Sequence, residues 1–429
     1  MTEGNHGSTI SRIPIPSGWS YIPLEDLLEP KGISYGIVQP GSHEFNGVPI
    51  VRVKDVRNGK IDTSSPLRVH PDIEEKYSRT RLKGGEILLT LVGSVGEIAI
   101  APEAISGWNV ARAIAVLRTP DDDLTKWIAT YLQSQSAQHQ MQIWQNTTVQ
   151  ATLNLRDVRR LSIAMPPKHI RIAITKLIEA LDNKIAINER IAVTSDAWMR
   201  ANYDLLSVGA EMVRLDSIGT QVRATIKPEN LSGGEFYIGL EHIPRRNIWL
   251  TRWGSSSGIA SMKSRFKKGD ILFGKLRPYF HKVGVALVNG VCSTDILVIR
   301  ADRPSDRAWL TMALSSDDVV AHATARSDGT RMPRAKWADL AEHKIPLPDS
   351  GKLKEFTEKA DRIIDRVEKS AGESRALSEL RDTLLPELMS GRLRVRDAER
   401  IVEDADAPPN QHRKNVRSRL GAPHFESSR

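Results

Sequence analysis

The sequence has a single cysteine and no apolar run long enough to cross a membrane. One cysteine among 429 residues, Cys292, excludes an internal disulfide framework and is typical of a protein kept in a reducing cytosol. Because it follows an apolar run, we expect a buried core residue rather than a nucleophile. The first 17 residues are polar, without an apolar signal-peptide core, and no segment approaches the roughly 18 apolar residues of a membrane-spanning helix. We therefore expect a cytoplasmic protein that does not engage a membrane.

The motifs of the common catalytic sites are also missing. There is no Gly-rich phosphate loop ending in Lys-Ser/Thr, no His-Glu-x-x-His and no cysteine pair that could hold zinc. The sequence GSVG at residues 93–96 resembles a nucleophile or phosphate loop, but no helix pattern follows it, which favours a tight turn between strands. His242, His281 and His343 are too dispersed to indicate a metal site. We expect no catalytic residues, no metal and no cofactor in this chain.

The charge balance is basic. Lys and Arg number 61 against 52 Asp and Glu, which gives a formal charge of +9 and a pI of about 9.5. A surplus of this sign favours an acidic partner, such as nucleic acid, an anionic membrane or an acidic protein. The charge alone is equally compatible with a soluble protein that is merely basic.

The chain repeats itself at an offset of 182 residues. Eight residues recur over 49 ungapped positions, where ordinary residue usage would give roughly three matches by chance. The recurring pairs are Arg118 and Arg300, Trp127 and Trp309, Leu132 and Leu314, Ser134 and Ser316, Thr148 and Thr330, Asp157 and Asp339, Ile163 and Ile345, and Pro166 and Pro348. Solenoid repeats are only about 20–50 residues long. The offset therefore indicates a duplicated domain.

Both copies show short apolar alternations followed by a helical pattern. In the first copy we predict strands at 50–53, 86–91, 97–100 and 113–117 and a helix over 124–145; in the second, strands near 237–240, 270–273, 283–287 and 296–299 and a helix near 307–324. Each copy is thus predicted to be α+β. The expected domains are a flexible arm (1–18), a first domain (19–167), a helical region (168–205), a second domain (206–349), a second helical region (350–395) and a disordered tail (396–429).

The segment after each domain carries the most regular apolar spacing. The 3-4 spacing predicts a coiled-coil seam, in which the polar Asn188 would fix the register. Its positions are Ile174, Ile178, Leu181, Ile185 and Ala192 in the first segment and Leu353, Phe356, Ala360, Ile363, Val367, Leu377, Leu380 and Leu384 in the second. A helix of about 30 residues is roughly 45 Å long. Two such helices could pair antiparallel and separate the domains; the alternative is that each packs on its own domain.

Basic, polar and aromatic residues lie in loops that differ between the copies. Arginine can fork onto guanine edges or phosphates, Asn and Gln suit adenine, hydroxyls suit either, and aromatic rings pack on sugars or thymine methyls. The DNA-binding candidates of the first copy are Arg52, Lys54, Arg57, Ser94, Thr147, Thr148 and Gln150, and those of the second are Arg245, Arg246, Arg252, Lys275, Arg277, Tyr279, Thr330 and Arg331. Singly, each is more often a surface residue than a contact. Related scaffolds with divergent basic loops favour two distinct readers of half-sites.

Four passages resemble the specificity subunit of Type I restriction-modification systems. They are KGGEILLT at 83–90 with GSVG at 93–96, KGDILFGKLRPY at 268–279, the domain ends IAMPP at 163–167 and IPLP at 345–348, and LLPELMSG at 384–391. The resemblance extends over about residues 19–395. One departure is the run KHIRI at 168–172, where the family commonly has a glutamine just after the Pro-Pro end.

This resemblance implies two target-recognition domains, separated by two long helices that pair as an antiparallel coiled coil. It also implies a non-catalytic subunit of phage defence that binds an asymmetric bipartite site on double-stranded DNA. Catalysis would lie in partners. Two modification subunits would methylate adenine with S-adenosylmethionine, and restriction subunits, driven by ATP with Mg²⁺, would translocate and cleave DNA.

Two other functions remain open from the sequence. A single-chain methyltransferase would need a Gly-rich strand-helix turn and an Asn/Asp-Pro-Pro-Tyr/Phe loop, and the sequence has neither. A coiled-coil adaptor without base-specific DNA reading could use its positive charge for protein assembly or solubility. Binding to random duplex DNA separates the adaptor from the DNA reader, because only phosphate contacts make the affinity fall steeply with salt.

Overall fold

The computed structural model describes residues 14–145, 151–327 and 332–406. The chain divides into two compact units, of which the first comprises residues 1–182 and 378–429 and the second comprises residues 183–377. Within the described residues, no helix is both long enough and apolar enough to cross a membrane.

The first unit contains a four-stranded sheet, a three-stranded sheet, two two-stranded sheets and several short helices. Its strands are β1 (Ser20–Pro23), β2 (Ile33–Tyr35), β3 (Val48–Val51), β4 (Val56–Arg57), β5 (Lys60–Ile61), β6 (Leu67–Val69), β7 (Ile87–Thr90), β8 (Ile98–Ile100), β9 (Asn109–Val110), β10 (Ile114–Leu117) and β11 (Ser162–Met165). Its short helices are α1 (Pro71–Glu75), α2 (Asp122–Leu132), α3 (Gln135–Ile143) and α4 (Leu155–Arg159).

Sheet order in the first unit places its most apolar strand at the centre. The four-stranded antiparallel sheet has the order β2-β10-β7-β8, and β7 is buried along its whole length. A second sheet has the order β6-β3-β9, with β3 and β9 parallel. Strand β1 pairs with β11, so the first and last strands of the domain close it. Apolar side chains from both sheets, among them Val51, Leu88 and Val116, form one core.

The second unit repeats this plan with more strands. These are β12 (Glu211–Arg214), β13 (Gly219–Gln221), β14 (Thr225–Ile226), β15 (Phe236–Ile238), β16 (Trp249–Leu250), β17 (Gly254–Ser255), β18 (Lys263–Phe266), β19 (Ile271–Gly274), β20 (Val283–Ala286), β21 (Gly290–Cys292), β22 (Ile296–Ala301) and β23 (Lys344–Leu347). The helices of the domain are α6 (Arg307–Leu314), α7 (Asp317–Ala325) and α8 (Trp337–Ala341). The sheet orders β13-β22-β19-β20-β16 and β14-β18-β21-β15-β17 extend those of the first unit, and β12 pairs with β23 as β1 does with β11.

The repeated tryptophans play the same structural part in both units. Trp127 is fully buried on α2, and its Nε1 donates to the Ala164 carbonyl oxygen at 2.9 Å. Trp309 is fully buried on α6, and its Nε1 donates to the Pro346 carbonyl oxygen at 2.7 Å. Each ring thereby fastens a helix to the closing strand of its domain. The duplication predicted from the sequence is confirmed at the level of single hydrogen bonds.

The repeated arginines are structural as well. Arg118 pairs with the buried Glu86 at 3.3 Å, and Arg300 pairs with the buried Asp270 at 2.6 Å. A buried carboxylate is costly unless it is paired and hydrogen-bonded, which explains why a charged residue recurs among apolar ones. In both copies the carboxylate also accepts a backbone N–H from the residue three positions earlier.

Two helices far longer than the others are α5 (Lys168–Ser207) and α9 (Ser350–Met389). In the second unit they pair antiparallel, because Asn188 Nδ2 donates to Glu373 Oε2 at 2.7 Å while Trp198 stacks on Phe356 with ring centroids 6.2 Å apart. Phe356 also meets Trp309 edge to face, so the helices pair with each other and pack on the domain. The predicted antiparallel pairing is therefore confirmed, and α9 also packs on the second domain.

The seam residue Asn188 is buried, as its place in the apolar pattern predicts. Its partner Glu373 also forms an ion pair with Lys184 at 3.1 Å. In the first unit, Arg381 donates a hydrogen bond to Asp182 at 2.8 Å. Polar pairs of this kind specify one register among the many that an apolar seam allows.

The predicted boundaries differ from the structure in two places. The helices expected over 124–145 and 307–324 are each two helices, because Ser134 and Ser316 adopt extended backbone angles and cap the second helix with their hydroxyls. Residues expected in a disordered tail from 396 begin with helix α10 (Val395–Asp406). Ala398 in this helix is fully buried, so an apolar contact stabilises a segment whose composition is mainly charged.

Candidate nucleic-acid interface

Three loops of the second unit meet where β19 ends and β16 and β20 begin. They are residues 244–247, 275–281 and 332–335. The backbone N–H of Arg246 donates to the His281 carbonyl at 2.9 Å, and that of Arg277 donates to the Pro333 carbonyl at 2.8 Å. The N–H of Ala335 donates back to the Lys275 carbonyl at 2.9 Å. We call these residues the second three-loop surface.

The first unit has an equivalent arrangement in residues 57–60, 91–97 and 151–153, which we call the first three-loop surface. The N–H of Asn58 donates to Glu97 Oε2 at 2.9 Å, which joins the β4–β5 turn to the next loop. The N–H of Gly93 donates to the Ala151 carbonyl at 3.0 Å, just as that of Arg277 does to Pro333. Gly93 and Arg277 thus occupy equivalent positions, and both have positive φ angles, of 78° and 52°.

Backbone strain is concentrated in the second three-loop surface. Arg246, Arg277 and His281 have φ angles of 53°, 52° and 53°, in the left-handed region that non-glycine residues rarely adopt. Each such residue costs about 1–3 kcal/mol, and such residues cluster where a side chain must be held in a fixed direction for function. The concentration marks this surface as the strongest candidate for a recognition site in the described chain.

A side chain anchors the central loop of each surface to a helix end. In the first unit, Gln138 Nε2 donates to the carbonyl oxygens of Gly96 at 2.9 Å and Leu132 at 2.8 Å. In the second unit, His281 Nε2 donates to the Ser315 carbonyl at 2.8 Å. Leu132 and Ser315 lie at the C-terminal ends of α2 and α6. Both loops are therefore positioned by the rigid part of the domain.

Aromatic and cationic side chains stack on the second three-loop surface. The Tyr279 side chain is half exposed and meets Phe280 edge to face, with ring centroids 4.8 Å apart. The Arg245 guanidinium carbon lies 4.2 Å from the centroid of the Phe280 ring. A cation held over an aromatic face keeps its N–H donors directed outward, where they can reach phosphate or a base edge.

Several predicted DNA-binding residues come together on these surfaces, and others do not. The three-loop surfaces contain Arg57, Ser94, Arg245, Arg246, Lys275, Arg277 and Tyr279. Arg52 lies elsewhere, where its guanidinium forks onto Asp55 at 2.8 and 3.0 Å and donates to the Ser65 carbonyl at 2.6 Å, contacts that hold its own loop. Lys54 and Arg252 are exposed outside both surfaces. Thr147, Thr148, Gln150, Thr330 and Arg331 lie outside the described residues.

Sequence reasoning missed Asn58 and Phe280 on these surfaces and Asp317 beside the second one. Asn58 precedes Gly59 in a two-residue hairpin turn, and Asn-Gly between apolar stretches is a recognised turn signal that could have located it. Phe280 and Asp317 gave no signal, because their role depends on Arg245 and Arg246 arriving from a distant loop.

The single cysteine and the GSVG segment both have structural surroundings. Cys292 is fully buried in β21, and burial raises the pKa of its thiol to about 12, so it is a core residue as predicted. No cluster of three or more His, Cys, Asp or Glu side chains suited to a metal ion occurs in the part of the chain that the structure describes. The GSVG segment is the turn between β7 and β8, which confirms that expectation.

Comparison with known proteins finds Type I restriction enzyme specificity subunits among the relatives of this chain. Residues 16–193 match the family model for the Type I restriction modification DNA specificity domain. The chain is 29% identical over 175 residues to the EcoBI specificity subunit of Escherichia coli, a match that covers 40% of this chain and 36% of that protein. It is 28% identical over 193 residues to the putative MjaX specificity subunit of Methanocaldococcus jannaschii, covering 43% of this chain and 44% of that protein. Both matches span less than half of the relative's length.

Solved structures of the same kind are also similar. A Type I restriction-modification S subunit from M. genitalium is 15% identical, with 86% of this chain and 96% of that chain covered and a TM-score of 0.49. The HsdS subunit of Thermoanaerobacter tengcongensis is 16% identical, with 92% and 100% covered and a TM-score of 0.35. The family model and the two relatives confirm the resemblance to Type I specificity subunits.

Proposed function

We propose that this chain, similar to Type I specificity subunits over residues 16–193, is the DNA-reading subunit of such a complex. Each three-loop surface reads one half of an asymmetric bipartite site on double-stranded DNA. The chain performs no methylation or cleavage of its own but directs the subunits that do.

One observation carries this proposal: the same loop framework occurs twice with different side chains on it. The first three-loop surface places Gly93 where the second places Arg277, and each donates the same backbone hydrogen bond. Conserving a framework while changing its exposed groups alters which base edges can be contacted without altering the fold. Two different surfaces of this kind on one chain suit a target with two different halves.

Partner subunits carry out the chemistry. Two modification subunits hold S-adenosylmethionine and methylate the site, and restriction subunits use ATP and Mg²⁺ to translocate and cleave. The chain itself binds no cofactor. Its contribution is to position these subunits on the sequence that its two surfaces select.

Binding of the purified chain to random duplex DNA tests the DNA-reading part of the proposal. Because Lys and Arg release counterions from the phosphates, the logarithm of the binding constant should fall linearly with the logarithm of salt concentration. Six phosphate contacts would give a slope of about −5. A binding titration at several salt concentrations measures this slope. A coiled-coil adaptor without DNA reading would show no such fall, and that result would contradict the proposal.

A further inference from the structure

A buried histidine faces an exposed ion pair at the edge of the second three-loop surface. The side chain of His281 is only 5% exposed, and its Nε2 lies 2.8 Å from the Ser315 carbonyl oxygen. A carbonyl oxygen can only accept a hydrogen bond, so Nε2 carries the hydrogen. In the neutral imidazole, Nδ1 then bears a lone pair and no hydrogen.

That lone pair points toward another acceptor. His281 Nδ1 lies 3.4 Å from Asp317 Oδ1 and has no hydrogen-bond partner among the described residues. Two acceptors facing each other repel unless a positive charge lies close by. Arg246 supplies that charge, because its Nη1 lies 2.7 Å from the same Oδ1. Neutral His281 is therefore compatible with this geometry only while Arg246 stays on Asp317.

We infer that Asp317 holds Arg246 in place for a DNA backbone phosphate, and that His281 takes up a proton from solvent when the phosphate draws Arg246 away. This inference rests on the proposed DNA-reading function. A carboxylate and a phosphate offer a guanidinium the same kind of oxygen acceptors. The Arg246 and Asp317 side chains are 65% and 73% exposed, so the ion pair contributes little to stability and can exchange readily.

The charged groups that face His281 come from three elements. Arg246 lies in the loop 244–247, Asp317 lies in the first turn of α7, and Arg200 lies on α5. Arg200 is bound to Asp196 at 2.7 Å and donates to the Ser315 carbonyl at 3.1 Å, so its charge stays in place whether or not Arg246 leaves. Removal of Arg246 thus leaves the Asp317 carboxylate without its own cation beside the imidazole.

The direction of the pH effect follows from these contacts. Burial first, and then the charge of Arg246, hold the pKa of His281 below its usual 6.5 in the free protein. When Arg246 leaves, the uncompensated Asp317 carboxylate raises this pKa, so DNA binding is accompanied by proton uptake. Affinity should therefore increase as the pH falls from 8 toward 6, by at most about tenfold per pH unit. In the first unit the loop is anchored instead by Gln138, whose amide does not titrate.

A measurement without DNA tests the inference independently of the proposed function. In R246Q the full chain lacks the cation on Asp317, and the NMR titration of His281 should shift to higher pH than in the wild type. H281Q identifies the His281 resonance, and its glutamine amide can still reach toward the Ser315 carbonyl as Gln138 does toward Leu132. R245Q is the matched control, because Arg245 lies next in the chain but contacts Phe280 instead of Asp317. An unshifted His281 titration in R246Q would overturn the inference.

The second measurement uses a fluorescent duplex of mixed sequence and about 30 base pairs. Its affinity for the wild type and R245Q should rise between pH 8 and pH 6, whereas D317N, R246Q and H281Q should each flatten that rise. R246Q should also reduce, by about one unit, the slope of the logarithm of the DNA-binding constant against the logarithm of salt concentration. D317N retains the His281 side chain, so it remains informative even if H281Q folds poorly. If D317N and the wild type both bound DNA strongly and with the same pH dependence, the inference would be refuted but the proposed function would stand. If the wild type did not bind DNA, the proposed function itself would be refuted.

Discussion

Replacing Arg277 with alanine is expected to weaken binding of the specific site by about 1–3 kcal/mol, or roughly 5- to 150-fold, and to relax the methylated motif at one position. The reason is geometric: the Arg277 backbone is held by the Pro333 carbonyl and followed by Pro278, so its side chain starts from a fixed point on the second three-loop surface. Alanine keeps the Cβ atom, so the cost of the positive φ angle is unchanged. Sequencing of methylated motifs, together with affinity and melting temperature, measures the effect.

The relaxed position should lie in only one half-site, because Gly93 takes the equivalent place in the first unit and has no side chain. Arg277→Lys is the matched control, since lysine keeps the charge but loses the planar fork that guanine requires. If Arg277 binds a phosphate instead, the alanine variant should bind all DNA sequences equally more weakly. The slope of the logarithm of the binding constant against the logarithm of salt concentration should then decrease by about one unit. An unchanged motif with unchanged affinity would show that Arg277 takes no part in recognition.

The Trp309→Ala variant is expected to lower the free energy of unfolding of the second unit by about 3–5 kcal/mol. Trp309 is fully buried, lies 4.6 Å from Tyr203 and 5.4 Å from Phe356 between ring centroids, and fastens α6 to β23 through its Nε1. Its removal leaves a cavity among three elements of the second unit and an unpaired Pro346 carbonyl. Urea denaturation followed by circular dichroism gives the change.

Trp127→Ala is the matched variant in the first unit, where the same ring makes the same hydrogen bond to Ala164. Trp309→Phe keeps most of the buried area, so its free energy of unfolding should fall by less than half as much as that of Trp309→Ala. If Trp309→Ala shifted the urea midpoint by no more than the replacement of a surface residue does, the structural role of the repeated tryptophans would be refuted.

Much of the fold could be predicted because it depends on local patterns. The buried strands β7 and β19, the long helices and the duplicated Trp127 and Trp309 all follow from apolar spacing and internal similarity. The break within each predicted helix does not follow from the spacing, because Ser134 and Ser316 end one helix and cap the next without interrupting the apolar pattern. Apolar periodicity continues through a cap, so the period alone does not reveal it.

The candidate site was less predictable than the fold. The sequence shows which residue types occur in the loops, but not which partner each side chain contacts. Arg52 and Arg57 look equivalent in the sequence, yet Arg52 forks onto Asp55 whereas Arg57 lies on the first three-loop surface. Charge alone makes Arg246 a candidate, but its pairing with Asp317 joins residues 71 positions apart. The Arg246 contact depends on tertiary structure, which no local pattern encodes.

The most direct measurement of the central claim is the methylome of a host that carries the partner modification subunit, with and without this chain. We expect methylation at one split, asymmetric motif only when both are present, and no methyl transfer by the purified chain alone. Exchange of residues 206–349 for the corresponding domain of a related subunit should change one half of the motif and leave the other intact. An identical methylome with and without the chain, or methylation by the chain alone, would contradict the account.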